Sequence, residues 1–433
     1  LNPDGGVVKI LVSVAVWGRE YATTFAEYSL ASQLSPNNIP RLAVEHDVTY
    51  HIVTTRRDAA WLREKQNIVA LEKFGNIIWD CFEDRGYDPF FIPKGLDEEK
   101  YPFLSRLQNL AFECSVDYDI LVFNYADFIW ADGSLYHSIL LMNDGADALL
   151  GFCLPVDRDA GKPTLNRYRI DRNASSSLDL PCRTAVGLAI DHMHREARLR
   201  IWGGKEFSSF PSYLLWRVGE EGFVIRAYHQ TVLALRVKAN DPEYKKGIRR
   251  GSLDGYFTAV LAETGRVHHA TDSDTVTVFS LYHTRVDSRI TRHESREEAL
   301  RQCLRDSISE GQRRFAEIPI QFKRAFSESS LWDRVTEDSC RTLLGIHQAT
   351  PADHEAFARV HNYHGDIEAL ERRWRKQAIL DRWKAIEVRS WFYRRIVVRF
   401  LGSRSARLAR SVIGPRARAW RVGMEKWIFG SRA

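Results

Sequence analysis

The sequence predicts an α/β fold: a doubly wound, mostly parallel sheet followed by a helical C-terminal extension. Apolar, β-branched runs alternate with stretches of helical spacing through residues 1–150. No G-x-G-x-x-G follows the first apolar run, where the turn reads Val16-Trp17-Gly18-Arg19-Glu20, so a dinucleotide-binding version of the fold is disfavoured. From about Thr291 onward the pattern becomes nearly all helical.

Val7 to Val16 is the expected first strand, and Trp17-Gly18 ends it. Tyr21, Phe25, Tyr28 and Leu30 give Glu20 to Leu34 a helical stripe, which Ser35-Pro36-Asn37-Asn38 breaks. A second strand is predicted over Thr49 to Thr54, a helix over Asp58 to Phe74 and a third strand over Asn76 to Cys81. Arg106 to Ser115 is helical, Asp119 to Phe123 is the fourth strand, Asp132-Gly-Ser-Leu opens a helix through Met142, and Ala146 to Leu154 is another strand. Asp157 to Ser177, polar with Gly and Pro, reads as a mobile loop. Beyond it come a helix (Thr184 to Arg198), strands (Phe223 to Arg226, Thr231 to Val237, Thr275 to Leu281) and a helix from Leu253 to Glu263. The expected domains are therefore an α/β domain over 1–290, in halves of 1–150 and 151–290, and a helical, basic extension over 291–433.

Hydrophobic residues make up 44% of the 433 and charged residues 27%, the composition of a soluble globular protein. No apolar run reaches the ~18 residues of a transmembrane helix. Leu1 to Gly6 is polar and the next run is a strand, so no secretory signal is read and a cytoplasmic protein is expected. Six cysteines are scattered with no C-x-x-C pair, which predicts reduced, mostly buried thiols. The net charge of +6 is unevenly spread: residues 372–433 carry 18 Lys+Arg against 3 Asp+Glu, a balance of +15, leaving −9 for residues 1–371. Such a split points to an interaction tail.

The stretch Asp119-Ile-Leu-Val-Phe-Asn-Tyr-Ala-Asp127 reads as a buried strand ending in an acidic turn. The carboxyl ends of strands are where open α/β sheets bind ligands. A carboxylate there suits a divalent cation or the diphosphate of an activated donor.

The first 150 residues resemble the GT-A fold glycosyltransferases, in particular the bacterial family 2-like group. The resemblance rests on Leu11 to Gly18 (strand and turn), Ser29-Leu30-Ala31-Ser32-Gln33 (helix), Asn109, Ile120 to Phe123, Asp127 and Gly133-Ser134-Leu135. It implies that 1–150 is a nucleotide-binding half and 151–290 an acceptor half. It also implies a nucleotide-sugar donor, a turn after the first strand that meets the nucleotide, and an acidic D-x-D-type turn. Two departures stand out. The second strand ends in Thr54-Thr55 rather than in an Asp, and the acidic turn, Tyr125-Ala126-Asp127-Phe128, carries one carboxylate. Asp127 then works with Asp132, with a later His or with the waters Mg²⁺ keeps, or else Arg or Lys neutralises the diphosphate without a metal.

The expected donor-binding set is Ala15, Trp17, Gly18, Thr54, Asp58, Arg106, Asn109 and Asp127. Asp127 alternatively makes local turn hydrogen bonds, Asp132 reads as a helix cap, and Arg106 as one half of a surface ion pair. Inverting transfer needs a carboxylate base for the acceptor hydroxyl, and Asp254 and Glu206 are the candidates; Asp254 alternatively caps a helix and Glu206 sits in a solvated loop. The resemblance implies His229 as a further metal ligand beside Asp127, with Mg²⁺ or Mn²⁺ as cofactor; a hydrogen-bonded structural His is the alternative. His192-Met-His194 and Thr271-Asp-Ser-Asp274 read more simply as local structure.

The tail interleaves Trp374, Trp383, Trp391 and Trp427 with arginines, and Val388 to Leu401 and Ala417 to Phe429 fit amphipathic helices lying on an anionic membrane. Packing on the acidic body and nucleic-acid binding are the competing readings, nucleic acid the weaker. Together these features predict a glycosyltransferase on the inner face of the cytoplasmic membrane, acting on glycan or lipid-linked acceptors in lipopolysaccharide or other surface-polysaccharide assembly. A non-catalytic, membrane-associated scaffold with a degenerate GT-A body is the alternative.

Overall fold

A computed structural model describes residues 6–85, 100–142, 145–172, 175–238, 253–283 and 295–356. The tail, residues 372–433, and the extension beyond residue 356 lie outside them. The strands are β1 (Lys9–Ala15), β2 (Asp47–Thr54), β3 (Asn76–Cys81), β4 (Ile120–Tyr125), β5 (Phe128–Trp130), β6 (Ala148–Gly151), β7 (Cys153–Asp157), β8 (Arg169–Arg172), β9 (Ser175–Leu178), β10 (Tyr213–Val218), β11 (Gly222–Ala227), β12 (Thr231–Arg236), β13 (Val267–His269), β14 (Val278–Tyr282) and β15 (Ile320–Lys323).

Seven of them form the central sheet, in the order β13-β6-β12-β4-β1-β2-β3. All neighbours run parallel except around β12, which is antiparallel to both β4 and β6. This is a mixed α/β architecture with a mostly parallel sheet flanked by helices, consistent with a GT-A-like fold. The near-continuous apolar run of β1 follows from its central place, because both its faces are covered. Ile10, Val12 and Val14 enter a core shared with the helical stretch Arg19–Gln33, while Leu11 enters the core on the opposite face with Phe123 and Leu121.

Two strands bend out of the large sheet into a smaller one. β4 ends at Tyr125 and β5 begins at Phe128; β6 ends at Gly151 and β7 begins at Cys153. β5 and β7 flank β14 in this second sheet, antiparallel and parallel to it respectively. The single strand expected over Ala146 to Leu154 is therefore two, divided at Phe152.

The polar segment expected as a mobile loop is ordered structure. Asp157 caps the helix Arg158–Leu165 by accepting from the N–H groups of Asp159 (3.1 Å) and Ala160 (3.0 Å). The β8–β9 hairpin follows, and its Ser176 N–H donates to Asn67 Oδ1 at 2.9 Å. The helix expected over Asp58 to Phe74 is also two, Arg56–Arg63 and Gln66–Leu71.

The chain after 295 is not purely helical. Between the helices Glu310–Glu317 and Ser329–Gln348 lies β15, which pairs antiparallel with β11 and completes a β10-β11-β15 sheet. Trp332 and Leu343 of the last helix fill a core with Leu214, Trp216 and Val224. Beneath it the buried Arg226 donates to Ser339 Oγ at 2.9 Å and to the Thr336 carbonyl at 2.8 Å. Among the described residues no helix is long and apolar enough to cross a membrane. The six thiols are unpaired; Cys81 and Cys303 are buried and the other four half-buried.

Gly222 opens β11 at φ 148°, and a Cβ there would lie 2.1 Å from the Phe322 carbonyl oxygen of β15. Gly203 has φ 91° with nothing within 4 Å of an added Cβ. Gly203→Ala should cost about 1 kcal/mol through backbone strain alone, and Gly222→Ala at least about 2 kcal/mol more because β15 must move. Urea unfolding of both variants checks this; equal losses would mean that β15 does not press on Gly222.

Candidate functional site

Parallel register brings the carboxyl ends of β1, β2 and β4 to one edge, at Ala15, Thr54 and Tyr125. Because β12 runs the other way, it starts at that same edge, so His229 and Gln230 arrive there too. The chain winds away from β1 toward β2 on one side and toward β4 on the other, so the crevice between β1 and β4 is the switch point of the sheet.

The turn after β1 is braced from β2. Val16 N–H donates to the Val53 carbonyl at 2.9 Å, and Gly18, at φ 79°, donates its N–H to Asp58 Oδ2 at 2.9 Å. Asp58 Oδ2 also accepts from Thr55 Oγ1 at 3.0 Å, and Thr55 Oγ1 in turn accepts from the Asp58 N–H as cap of the helix Arg56–Arg63. Asp58 is thus committed to holding the turn in shape. Trp17 packs edge-on against Phe82 and Phe103, with ring centroids 6.1 and 5.3 Å away. Ala15 lines a narrow cavity with Ser13, Leu107, Gln108 and Tyr125, beneath the helix Lys100–Cys114. Thr54 is buried, and its hydroxyl finds no partner among the described residues.

Asp127 is half-buried in the turn where the chain passes from β4 to β5, and its carbonyl accepts from the Leu281 N–H at 2.9 Å. Beside it, Tyr125 receives a hydrogen bond from Gln108 Nε2 at 2.9 Å. Burial drives the Tyr125 phenol far above its usual range, and the charges of Asp254 and then Asp127 push it the same way. Both carboxylates therefore lie within electrostatic reach of this phenol. Asp254 is exposed on the helical segment Leu253–Phe257.

The remaining expected residues lie in other settings. Glu206 is exposed and pairs with Arg195 at 3.6 Å on the surface. His229 is half-buried; its N–H donates to the Ser212 carbonyl at 3.1 Å and its ring lies 5.8 Å from Phe210. Arg106 pairs with Glu113 at 3.5 Å, the surface arrangement. Asn109 is buried, and its Oδ1 has no partner among the described residues. Asp132 is not the cap it resembles: Gly133, at φ 85°, holds that position, while Asp132 accepts from Asn37 N–H at 2.9 Å and Asn37 Nδ2 at 2.6 Å. His192 bonds Thr164 (2.9 Å) and His194 the His283 carbonyl (3.0 Å), so the two serve different neighbours. Asp272 and Asp274 share the Lys323 ammonium at 2.7 and 3.2 Å, so a lysine occupies the place a cation would take.

Among the described residues no three His, Cys, Asp or Glu side chains gather as a metal cage would require. Mg²⁺ is often held by one or two carboxylates together with substrate phosphates, and Asp127 meets that minimum.

Sequence reasoning missed a buried polar chain under the β1 turn. Ser13 Oγ lies 3.0 Å from His51 Nδ1, His51 Nε2 lies 3.4 Å from Asp80 Oδ2, and Arg85 closes on both Asp80 oxygens at 3.0 and 2.7 Å. The available signal was a polar residue inside each of three apolar runs that pair side by side.

Burial alone would raise the Asp80 pKa, but hydrogen bonds from His51 and Arg85, and the Arg85 charge, hold it well below the usual carboxylate range. A depressed folded-state pKa stabilises the protein above the unfolded value, about 3.9, and that contribution is lost as pH falls toward the folded value. Asp80→Asn should therefore cost about 2 kcal/mol at pH 7, and the gap to the parent protein should narrow below about pH 4. Denaturant unfolding across pH 3 to 7 tests this; a gap independent of pH contradicts it.

No protein-family model matches the chain, and no curated protein matches it in sequence. Solved structures similar to it include S. aureus TarS, at 12% identity and a TM-score of 0.32, over 81% of this chain and 54% of that one. Another is the apo form of mouse xyloside xylosyltransferase 1, at 11% identity and a TM-score of 0.24, over 37% of this chain and 59% of that one. The alignments thus span little more than half the length of each.

Proposed function

We propose that this chain is a glycosyltransferase that moves a sugar from a nucleotide-sugar donor to a glycan or lipid-linked acceptor. The observation that supports this most is geometric: parallel register sets Ala15, at the end of β1, beside Tyr125, at the end of β4, so the turn braced by Asp58 and the turn carrying Asp127 face one crevice at the switch point of the sheet. The braced turn from Ala15 to Gly18 and the rim at Thr54 would receive the nucleotide. Asp127 would face the donor diphosphate, and a divalent cation held there would supply charge stabilisation to the departing group. Asp254, exposed and within electrostatic reach of the Tyr125 phenol, would take the proton from the acceptor hydroxyl. Glu206, ion-paired on the surface, has the weaker claim as base.

Titration calorimetry with UDP and GDP, with and without Mn²⁺, tests this reading. One of the two nucleotides should bind, and Asp127→Ala should weaken it at least about tenfold. Asp254→Asn should leave that affinity within about twofold while slowing transfer at least about 100-fold. Absence of binding to either nucleotide would favour a non-catalytic scaffold, the reading to which the single carboxylate at Asp127 lends support.

The proposal extends to the setting. With a balance of +15 and interleaved tryptophans, residues 372–433 would hold the enzyme on an anionic membrane surface, facing lipid-linked acceptors of a surface polysaccharide. The full chain should float with phosphatidylglycerol-containing liposomes, and a chain ending at residue 371 should not. Equal flotation of both would remove the membrane role.

A further inference from the structure

Arg158 and His283 leave the small sheet side by side, because Asp157 at the end of β7 pairs in parallel register with Tyr282 at the end of β14. On the other side of β14 lies Asp127, whose carbonyl accepts from Leu281. With neighbouring strands about 4.8 Å apart, these residues span one edge of that sheet. Glu20, two residues beyond Gly18, reaches this edge from the braced turn. Its Oε1 lies 2.5 Å from Arg158 Nη1 and 2.6 Å from His283 Nε2. Arg158 Nη2 lies 3.5 Å from His283 Nδ1, so guanidinium and imidazole grip one carboxylate together.

The exposures of the partners differ. The Arg158 side chain is only 10% exposed, whereas Glu20 is 51% exposed. Burial works against ionisation of Glu20, yet the His283 and Arg158 contacts hold its pKa below the ordinary glutamate value. One turn along the same helix, Lys162 reaches Thr24 Oγ1 at 3.4 Å, and burial together with the Arg158 charge lowers its pKa. Asp159 is the nearest competing anion, 3.3 Å from Arg158 Nε.

We propose that Arg158 and His283 form the subsite for the donor diphosphate, and that Glu20 occupies it until the donor arrives. This rests on the glycosyltransferase reading and deepens it: the Arg158 guanidinium supplies charge, and His283 a hydrogen-bonding partner, where a second carboxylate and its metal would otherwise act. Glu20 is an anion held at the turn that the nucleotide would meet, and its exposure lets it swing into water at small cost. A diphosphate brings more charge than the carboxylate it replaces, and the guanidinium fork matches phosphate oxygens bidentately.

The test titrates the full chain, in EDTA, with three probes: a nucleoside diphosphate, the matching monophosphate and inorganic pyrophosphate. The diphosphate should bind at least about tenfold tighter than the monophosphate. Arg158→Gln should erase that preference and leave the monophosphate within about twofold, Arg158→Lys should restore part of it, and Glu20→Gln should strengthen diphosphate binding severalfold. Thermal melts confirm that each variant folds. Unchanged diphosphate binding in Arg158→Gln, or weaker binding in Glu20→Gln, overturns the subsite. Pyrophosphate binding that depends on Arg158, without binding of any nucleotide, would keep the subsite and sink the glycosyltransferase reading. Failure to bind all three probes in EDTA would sink the subsite, and failure again with Mn²⁺ added would sink the glycosyltransferase reading as well.

Discussion

The site depends on the crossing of two strands from the large sheet into the small one. β4 makes the passage through Ala126-Asp127 and β6 through Phe152, side by side around β14. Apolar burial on both sheets holds the crossing, with Ile129, Leu154 and Phe279 in one core and Phe128, Trp130 and Val278 in another. Because the crossing folds the small sheet off the rim of the large one, Asp127 and Arg158 are carried toward the switch point instead of along a flat edge. The Gly18–Asp58 bond then sets the opposite wall.

The parts of the fold legible in the sequence were those whose signal is local. β1, β2 and β4 each show a largely buried run and β3 an apolar one at the sheet's edge, and the rim position of Asp127 follows from the strand before it. Asp254 was legible as a carboxylate in the second half of the chain, and it lies exposed on the segment Leu253–Phe257. What escaped depends on partners distant in sequence. Asp132 looks like a helix cap until Asn37 claims it. The segment from Asp157 to Ser177 looks like a loop until Asn67 anchors its hairpin. β15 has only four residues, too few to stand out between two helices, and exists because β11 offers it an edge. Glu206 and Asp254 look equivalent in sequence; in the structure Glu206 is ion-paired with Arg195 and Asp254 lies on the segment Leu253–Phe257.

Charge is arranged in layers around the rim. Ser13, His51 and Asp80 form a buried polar chain beneath the first turn, satisfied outward by Arg85. Such a chain is stabilising only when each member is paired, because an unpaired charge at that depth is costly. Above it, Asp127 and the Glu20–Arg158–His283 group present both signs of charge along one edge of the small sheet. The acidic body and basic tail extend the same contrast to the whole chain, −9 against +15.

We propose that a nucleoside diphosphate sits in this crevice, and a crystal structure of the protein soaked with the nucleoside diphosphate it binds decides it. Both phosphorus atoms should lie between the Gly18–Glu20 turn and Asp127, with Glu20 displaced from Arg158. A ligand bound elsewhere, with Asp127 turned to bulk water and Glu20 still on Arg158, would contradict it.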